Sequence, residues 1–461
     1  MTANNALAGS ERHHMEIPWH DVAAREDMPV CEASVADRCA LVCRVGLLTL
    51  SGGTGSWRVR EAMNRVARRL HVTCVVDVSL LGVECTCTEG SESSTLVAGL
   101  HTAGVNTERI WAMDELVKYM ESPAGANITV GDLHRRMDEI EQRPANYSFW
   151  QAGLASACAC AAFVFLLGGG PVEMGCAFAG AGVGHCLMRV MLARRINQLT
   201  SCAAGVAASC ITYLVALMLL GLVMPSAMDH EEGYIGAMLF VIPGFPLITS
   251  GLDIAKLDMH SGLERLAYAL AIIIVGTLSG WLVASFTPLS PDEFTPLGLS
   301  WQALFALRLL MSFVGVYGFS VMFNSTPRMC ATAGLIGAVA NTLRLSLVGY
   351  AGMAPEVGAL VGALVAGLLA SAIHFRRYHG CFQARSSKPG RPAFPRITMT
   401  VPSIVIMVPG LYMYRAVYYL CAFDVMSTMN WLMRAAMIVV FLPIGLALAR
   451  VLTDPRWRYC S

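Results

Sequence analysis

Two Pro-Gly steps stand inside long apolar runs. The first is Val241-Ile242-Pro243-Gly244-Phe245-Pro246-Leu247-Ile248-Thr249-Ser250-Gly251, and the second, 166 residues later, is Val408-Pro409-Gly410-Leu411-Tyr412-Met413-Tyr414-Arg415. Each lies about ten residues into a segment long enough to span a bilayer, roughly 15 Å deep in a ~30 Å hydrocarbon core. Proline has no amide donor and clashes with the preceding turn, so carbonyls near Pro243 and Pro409 lose their helical partners. Irregular backbone at that depth is tolerated only where protein or a water-filled cavity supplies new ones. One such break in each half of a membrane domain is the mark of a transporter's substrate site. The groups expected to meet a small zwitterion are the backbone at Pro243, Gly244, Pro246, Pro409 and Gly410, with the hydroxyls of Thr249, Ser250 and Tyr412. Arg415 has the planar fork that suits a carboxylate. His185 is the histidine well inside an apolar run, and is the candidate proton carrier because its charge changes near neutral pH. The competing reading for each is plain packing: two proline kinks, a snorkelling arginine and a neutral core histidine.

The chain around these residues has 461 residues, 55% hydrophobic and 14% charged. That composition belongs to an α-helical polytopic membrane protein with a soluble part appended. Residues 1–36 read as a disordered tail without an apolar leader. From 37 to 146 the composition is that of a compact α/β domain. Helices are expected over Asp37–Leu50, Arg58–Leu70, Glu108–Met120 and Val130–Gln142, the last capped by Thr129. Strands are expected over Val72–Ser79, Gly82–Thr88 and Thr95–His101. The joint Ser51-Gly52-Gly53-Thr54-Gly55-Ser56 is a turn; it lacks the strand and the Gly-Lys-Ser/Thr of a P-loop. No spacing ties Ser51, His71, His101 and His134 into a hydrolase, and an amino-acid sensor is a further role for the domain. Many of the sixteen cysteines lie in apolar runs as small hydrophobes. Cys85-Thr86-Cys87 lacks a second pair at zinc spacing, so no metal and no cofactor is expected.

Ten spans are expected from 149 onward, roughly 149–168, 172–192, 201–223, 233–252, 265–286, 301–323, 329–350, 355–374, 399–420 and 430–451. Loops on one side carry Arg194, Arg195, Lys256, Arg265, Arg328, Arg376, Arg377, Arg385, Lys388, Arg391 and Arg396, and the tail adds Arg456 and Arg458. Loops on the other side hold Asp229, Glu231, Glu232, Asp292, Glu293 and Asp424 and no lysine or arginine. The basic side is cytoplasmic by the positive-inside rule, which puts both termini in the cytoplasm of a plasma-membrane protein. Ten spans divide into transmembrane halves 147–286 and 287–461, the second with a cytoplasmic loop at 375–398. Five spans per half require the halves to be inverted. The 166-residue shift also sets Leu266 on Leu432, Ala269 on Ala435 and Ile272 on Ile438. A shift of 156 sets Gly184-His185-Cys186-Leu187 against Ala340-Asn341-Thr342-Leu343. Arg308, Arg344, Arg415 and Arg434 all fall in the outer half of the second repeat, where four cations together point to a vestibule. Gly180, Gly182, Gly184, Gly358, Gly362 and Gly367 allow close helix contact.

Val45-Gly46, Ser51-Gly52-Gly53-Thr54-Gly55-Ser56-Trp57-Arg58-Val59, Met63 and Arg65-Val66-Ala67 resemble the opening motif of the threonine/serine exporter family. Gly168-Gly169-Gly170-Pro171, Ile242-Pro243-Gly244-Phe245-Pro246-Leu247 and Val408-Pro409-Gly410 resemble that family too, so the likeness runs over about 38–450 in the fused single-chain form. The resemblance implies ten spans, a cytoplasmic N-terminal domain, and export of threonine and serine driven by the proton motive force rather than an enzyme activity. Members split into two polypeptides are linked to dicarboxylate (succinate) export, which is the rival substrate; a membrane-anchored hydrolase is the rival class. The partners expected are threonine, serine, protons and the lipid bilayer; no nucleic acid is expected, and a homo-oligomer is left open. Labelling of introduced cysteines tests the topology: sites beside Asp229, Asp292 and Asp424 should react with an impermeant reagent from outside, and sites beside Arg195 and Arg385 only from inside. Reaction beside Asp292 solely from the cytoplasmic face refutes ten spans.

Overall fold

Helix α1, Val35–Ser51, begins where Ser34 accepts a hydrogen bond from the Asp37 amide, and α2 follows at Ser56–Arg69. These and the later elements are described for residues 17–22, 26–125, 127–291, 293–383 and 394–458 of a computed structural model. The chain divides into two compact units, Met1–Pro144 and Ala145–Ser461. In the first, Gly53 takes φ +83° in the α1–α2 turn, and a Cβ there would lie 2.5 Å from the Gly104 carbonyl oxygen. Only glycine fits.

Strands β1 (Thr73–Val78), β2 (Gly82–Glu89) and β3 (Glu92–Gly99) form an antiparallel meander in sequence order. The third strand starts at Glu92 rather than Thr95, because Gly90, at φ +60°, closes a two-residue hairpin with Glu89 opposite Glu92. Helices α3 (Thr107–Glu121) and α4 (Val130–Glu141) complete the unit, with Thr129 accepting from the Asp132 amide. The apolar stripe of α2, from Val59 through Met63 and Val66 to Leu70, is buried in the common core. Part of the expected tail, 1–36, lies outside the described residues. Within it, however, Pro29 bridges to Thr129 and the Val30 amide donates to Ile128, so 26–36 belong to the folded unit.

A buried arginine ties α1 to α4. Arg44 is 2% exposed; its guanidinium donates to the His134 Nδ1 at 3.0 Å and pairs with Asp138 and Glu141.

The second unit is helical: α5 (Phe149–Leu167), α6 (Pro171–Ala193), α7 (Gln198–Gly221), α8 (Tyr234–Met238), α9 (Gly244–Ala255), α10 (Met259–Ser285), α11 (Trp301–Met322), α12 (Pro327–Tyr350), α13 (Pro355–Gln383), α14 (Ile397–Val405), α15 (Gly410–Cys421) and α16 (Val425–Thr453). Among the described residues eight helices are long and apolar enough to cross a membrane, or ten if each of two bent pairs is one span. That is consistent with a polytopic α-helical membrane protein. The link into α5 belongs here: Asn146 and Tyr147 bond to Asn324 and Ser325. Two expectations change. Helix α10 starts at Met259, so Arg265 is not a loop residue but is buried in the helix, 3.3 Å from Asp253 of α9. Helix α13 runs on to Gln383, so much of the loop expected at 375–398 is helical; 384–393, with Arg385, Lys388 and Arg391, lie outside the described residues.

Gly168-Gly169-Gly170-Pro171 turns the chain from α5 into α6. Gly168 caps α5 at φ +115°, and Pro171 opens α6 at the position where its missing amide is not needed. Helices α5 and α11 cross on small residues. A Cβ at Gly318 would lie 2.9 Å from that of Ala159, and one at Gly315 would lie 3.8 Å from that of Ala162. Ala159 and Ala162 precede Gly315 and Gly318 by the 156-residue shift, so the contact is reciprocal. Phe163 and Phe319, also 156 apart, meet edge to face with ring centres 6.4 Å apart.

His134 makes a pH prediction. Burial, then the charges of Arg44 and His20, hold it down at about 4. The unfolded chain binds a proton near 6.5, so this contribution is complete above 6.5 and drains as pH falls toward 4, by about 3 kcal/mol at most. His20 is raised, first by its bond to Asp138 and then by Glu26, and works in the opposite sense: its stabilisation is present at low pH and is lost as pH rises through its folded value. In the full chain, hydrogen exchange in α4 should therefore speed up between pH 6.5 and 4.5, after correction for intrinsic rates. His134→Gln should flatten that change; an unchanged pH slope refutes the assignment.

Candidate functional site

Each Pro-Gly step separates two apolar helices that together are long enough to cross a membrane. The segment Glu231–Val241 meets α9 at 58°, and α14 meets α15 at 48°. The local geometry is the same in each. Pro243 has φ −81° and ψ 62°, and Pro409 has φ −81° and ψ 52°. Each is the centre of an inverse γ-turn, with Gly244 N–H donating to Ile242 O at 2.8 Å and Gly410 N–H to Val408 O at 2.9 Å. The next helix resumes at once, through Leu247 N–H to Pro243 O and Met413 N–H to Pro409 O.

The two breaks also pack on each other. A Cβ at Gly244 would lie 3.0 Å from Val405 Cγ1 and 3.2 Å from Val408 Cγ2. One at Gly410 would lie 2.7 Å from Leu239 Cδ2 and 3.3 Å from Ile242 Cγ1. Leu239, Ile242 and Gly244 correspond to Val405, Val408 and Gly410 under the 166-residue shift, so this contact too is reciprocal.

A cavity of about 180 Å³ opens on the second break. Residues Ile406 to Tyr412 line it, together with Phe163 and Arg344. Arg344 reaches it because α13 offers glycines: Cβ atoms at Gly358 and Gly362 would sit 3.4 and 3.3 Å from the Arg344 side chain. Among the described residues its Nε has no hydrogen-bond partner. A cation facing a cavity in that condition favours an anionic guest. Arg308 stands beside it, its Nη1 3.5 Å from the Leu345 carbonyl oxygen, and does not line the cavity.

The expected site residues therefore divide. Pro409, Gly410 and Tyr412 line the cavity. Pro243, Gly244 and Pro246 form the other break. The Thr249 hydroxyl donates to Phe245 O at 3.0 Å and that of Ser250 to Leu247 O at 2.8 Å, so both protons are spent on their own helix. Arg415 is not in the cavity. Its Nε donates to Pro291 O at 3.1 Å, its guanidinium lies 4.7 Å from the Trp431 ring centre, and it is 5% exposed. It pins the connection between α10 and α11, and Arg344 is the cation at the break. The spacing of Gly358 and Gly362 was the available signal for Arg344.

His185 is 3% exposed and packs edge to face on Phe240, with ring centres 5.7 Å apart. Neither ring nitrogen has a hydrogen-bond partner among the described residues, nor does buried Ser156. Asn341 and Ser312, 156 residues further on, do bond, Nδ2 to Oγ, at 2.9 Å. Glu173 is a buried carboxylate that sequence reasoning passed over. Its Oε2 accepts from the Gly170 amide at 3.0 Å, its Oε1 lies 2.8 Å from His230 Nδ1, and Glu232 brings a further carboxylate within 4.8 Å. It stands three residues beyond the Gly-Gly-Gly run, where a capping carboxylate belongs.

A family model described as "Putative threonine/serine exporter" matches residues 40–287, and a second, "Threonine/Serine exporter, ThrE", matches 308–452. The chain is 26% identical over 435 residues to the "Probable threonine/serine exporter" of Mycobacterium tuberculosis, covering 90% of this chain and 76% of that one. It is 24% identical over 247 residues to the "Probable succinate transporter subunit YjjP" of Escherichia coli, covering 53% of this chain and 92% of that one. The protein of the same name in Klebsiella aerogenes is 24% identical over 257 residues, 55% of this chain and 94% of that one. No solved structure matches. With a family model over more than half of its length, and two bent helix pairs set among apolar helices, this chain belongs to the threonine/serine exporter family of membrane transporters.

Proposed function

We propose that the chain exports threonine and serine across the plasma membrane by proton antiport, with the substrate bound at the second break. The observation that carries the site is the cavity lined by Ile406–Gly410 at the break, Tyr412 and Arg344. At about 180 Å³ it lies below the roughly 300–1,000 Å³ of drug-sized pockets and suits a small solute. The substrate carboxylate pairs with the Arg344 guanidinium. The ammonium takes carbonyls released by Pro409, and the Tyr412 hydroxyl takes the substrate hydroxyl. The Mycobacterium relative, matched along most of both chains, supports the substrate class.

The reading includes a 5+5 inverted repeat whose broken spans cross at its axis. The reciprocal contacts of Gly244 and Gly410, and of Ala159 with Gly318, support it. It also keeps the N-terminal unit, 37–146, as a cytoplasmic α/β domain that gates transport. His185 is the proposed proton carrier, because protonation of a buried ring that has no hydrogen-bond partner among the described residues must draw in water or substrate. The pair Glu173–His230 is its competitor, held at 2.8 Å and buried on the carboxylate side. Succinate is the second reading, favoured by Arg308 beside Arg344 and by the names of the YjjP relatives.

Purified protein in vesicles preloaded with labelled threonine, serine or succinate tests the whole. Threonine and serine should leave, faster with an opposing pH gradient. Arg344→Gln should raise KM about 10- to 150-fold, the loss of a charge-assisted pair, with Arg344→Lys in between. Arg415→Lys should lower thermal stability and leave KM within about twofold, since a lysine cannot both reach Pro291 and cover Trp431. His185→Gln should remove the response to the gradient, whereas the same loss in His230→Gln alone would move coupling to Glu173. Wild-type KM in Arg344→Gln would place the site elsewhere, and efflux of succinate alone would overturn the substrate.

A further inference from the structure

Three buried cysteines of the N-terminal unit, Cys39, Cys85 and Cys87, bring their sulfurs together, and Cys74 joins them through Cys85. Cys85 and Cys87, two apart on β2, share the face that the pleat turns toward the core. Cys74 of β1 stands directly opposite Cys87 in the register. Cys39 comes down from α1, which packs on β2 and β3. The Cys85 Sγ lies 3.4 Å from that of Cys74, 3.7 Å from that of Cys87 and 4.0 Å from that of Cys39. The sulfurs of Cys39, Cys85 and Cys87 all lie within 4.8 Å of one another.

Four thiolates around one zinc ion, each about 2.3 Å from it, stand about 3.8 Å apart. The distances around Cys85 straddle that value. Cysteines that serve only as small hydrophobes need no such convergence, and here three separate elements contribute to it. Cys39, Cys85 and Cys87 are fully buried, and Cys74 is half-buried. The Cys85-Thr86-Cys87 pair lacked a second pair in the linear sequence; Cys39 and Cys74, 46 residues before and 11 before Cys85, supply it in space.

We propose that Cys39, Cys74, Cys85 and Cys87 bind one zinc(II) ion that braces α1 against the sheet. Each ligand loses its thiol proton on binding, so four protons leave as four zinc–sulfur bonds form. The site is separate from the substrate cavity, and its role is to hold the N-terminal unit together.

The test uses the full chain purified in detergent. Elemental analysis should find about one zinc per chain. A chelator should remove it with a fall in thermal stability, and zinc should restore both. Cobalt(II) in its place should give thiolate charge-transfer bands and the visible bands of a tetrahedral site. Cys85→Ser and Cys87→Ser should each lose most of the zinc. Cys31→Ser, whose thiol instead faces the Arg69 carbonyl at 3.7 Å, should keep it. Because stripping and refilling are done on the unaltered chain, a variant that does not fold leaves the question decidable. Purified chain that carries no zinc and takes up neither zinc nor cobalt overturns the proposal. So does a Cys74–Cys85 disulfide, or binding of copper(I) alone.

Discussion

The transmembrane unit depends on a single constraint: a polar backbone cannot be left unpaired at bilayer depth. Pro243 and Pro409 withdraw their amides inside apolar segments. The chain answers in the same way twice. An inverse γ-turn takes up the following glycine amide, and the next helix begins one residue later. What remains must be covered by protein, and the two breaks cover each other. Gly244 admits Val405 and Val408, and Gly410 admits Leu239 and Ile242, so a side chain at either glycine would push the breaks apart. The crossing of α5 and α11 on Ala159, Ala162, Gly315 and Gly318 repeats this logic beside them. Small residues bring the helices close, and packing then replaces a hydrophobic drive that lipid cannot offer.

Charges in the same unit are graded by how well they are answered. Arg265 is matched by Asp253, and Glu173 by the Gly170 amide and His230. Arg415 has a carbonyl and an indole face. Arg344 faces a cavity with its Nε unpaired among the described residues. An embedded cation with an unused donor is poorly stabilised by its own protein, and an anionic solute is what completes it. The difference between Arg344 and Arg415 is thus one of company, since both are arginines on apolar helices.

In the N-terminal unit the same rule governs a buried arginine. Arg44 is almost wholly buried, and is tolerated because α4 presents a neutral histidine nitrogen and two carboxylates to it. Asp114 shows the balance in miniature. Burial works to raise its carboxyl, but Arg58, Lys118 and Arg65 outweigh that and hold it below the ordinary range. Unlike these ion pairs, the cysteine cluster lies on the inner face of the sheet, where Cys74, Cys85 and Cys87 meet sulfur to sulfur and Cys39 also faces the Ser94 and Cys85 carbonyls.

Much was legible in the order of residues. Hydropathy marks the spans because each must bury about twenty residues of backbone in lipid, whatever its neighbours are. Prolines at 243 and 409 mark the breaks because the loss of an amide is a property of the residue itself. Thr129 caps α4, and Gly53 turns the chain, for equally local reasons. The partner of a side chain is not local. Arg415 looked like the substrate's cation because it follows Pro409 closely, yet Pro291, more than a hundred residues away, claims it. Arg344 reaches the cavity only because Gly358 and Gly362 of another helix leave room. Cys39, Cys74, Cys85 and Cys87 have no spacing that names a site; the β1–β2 register and the seat of α1 on the sheet bring their sulfurs together. Backbone chemistry and burial could be read from the sequence alone, while the pairing of distant polar groups was decided by the tertiary structure, because only packing sets which of them share a space that water cannot enter.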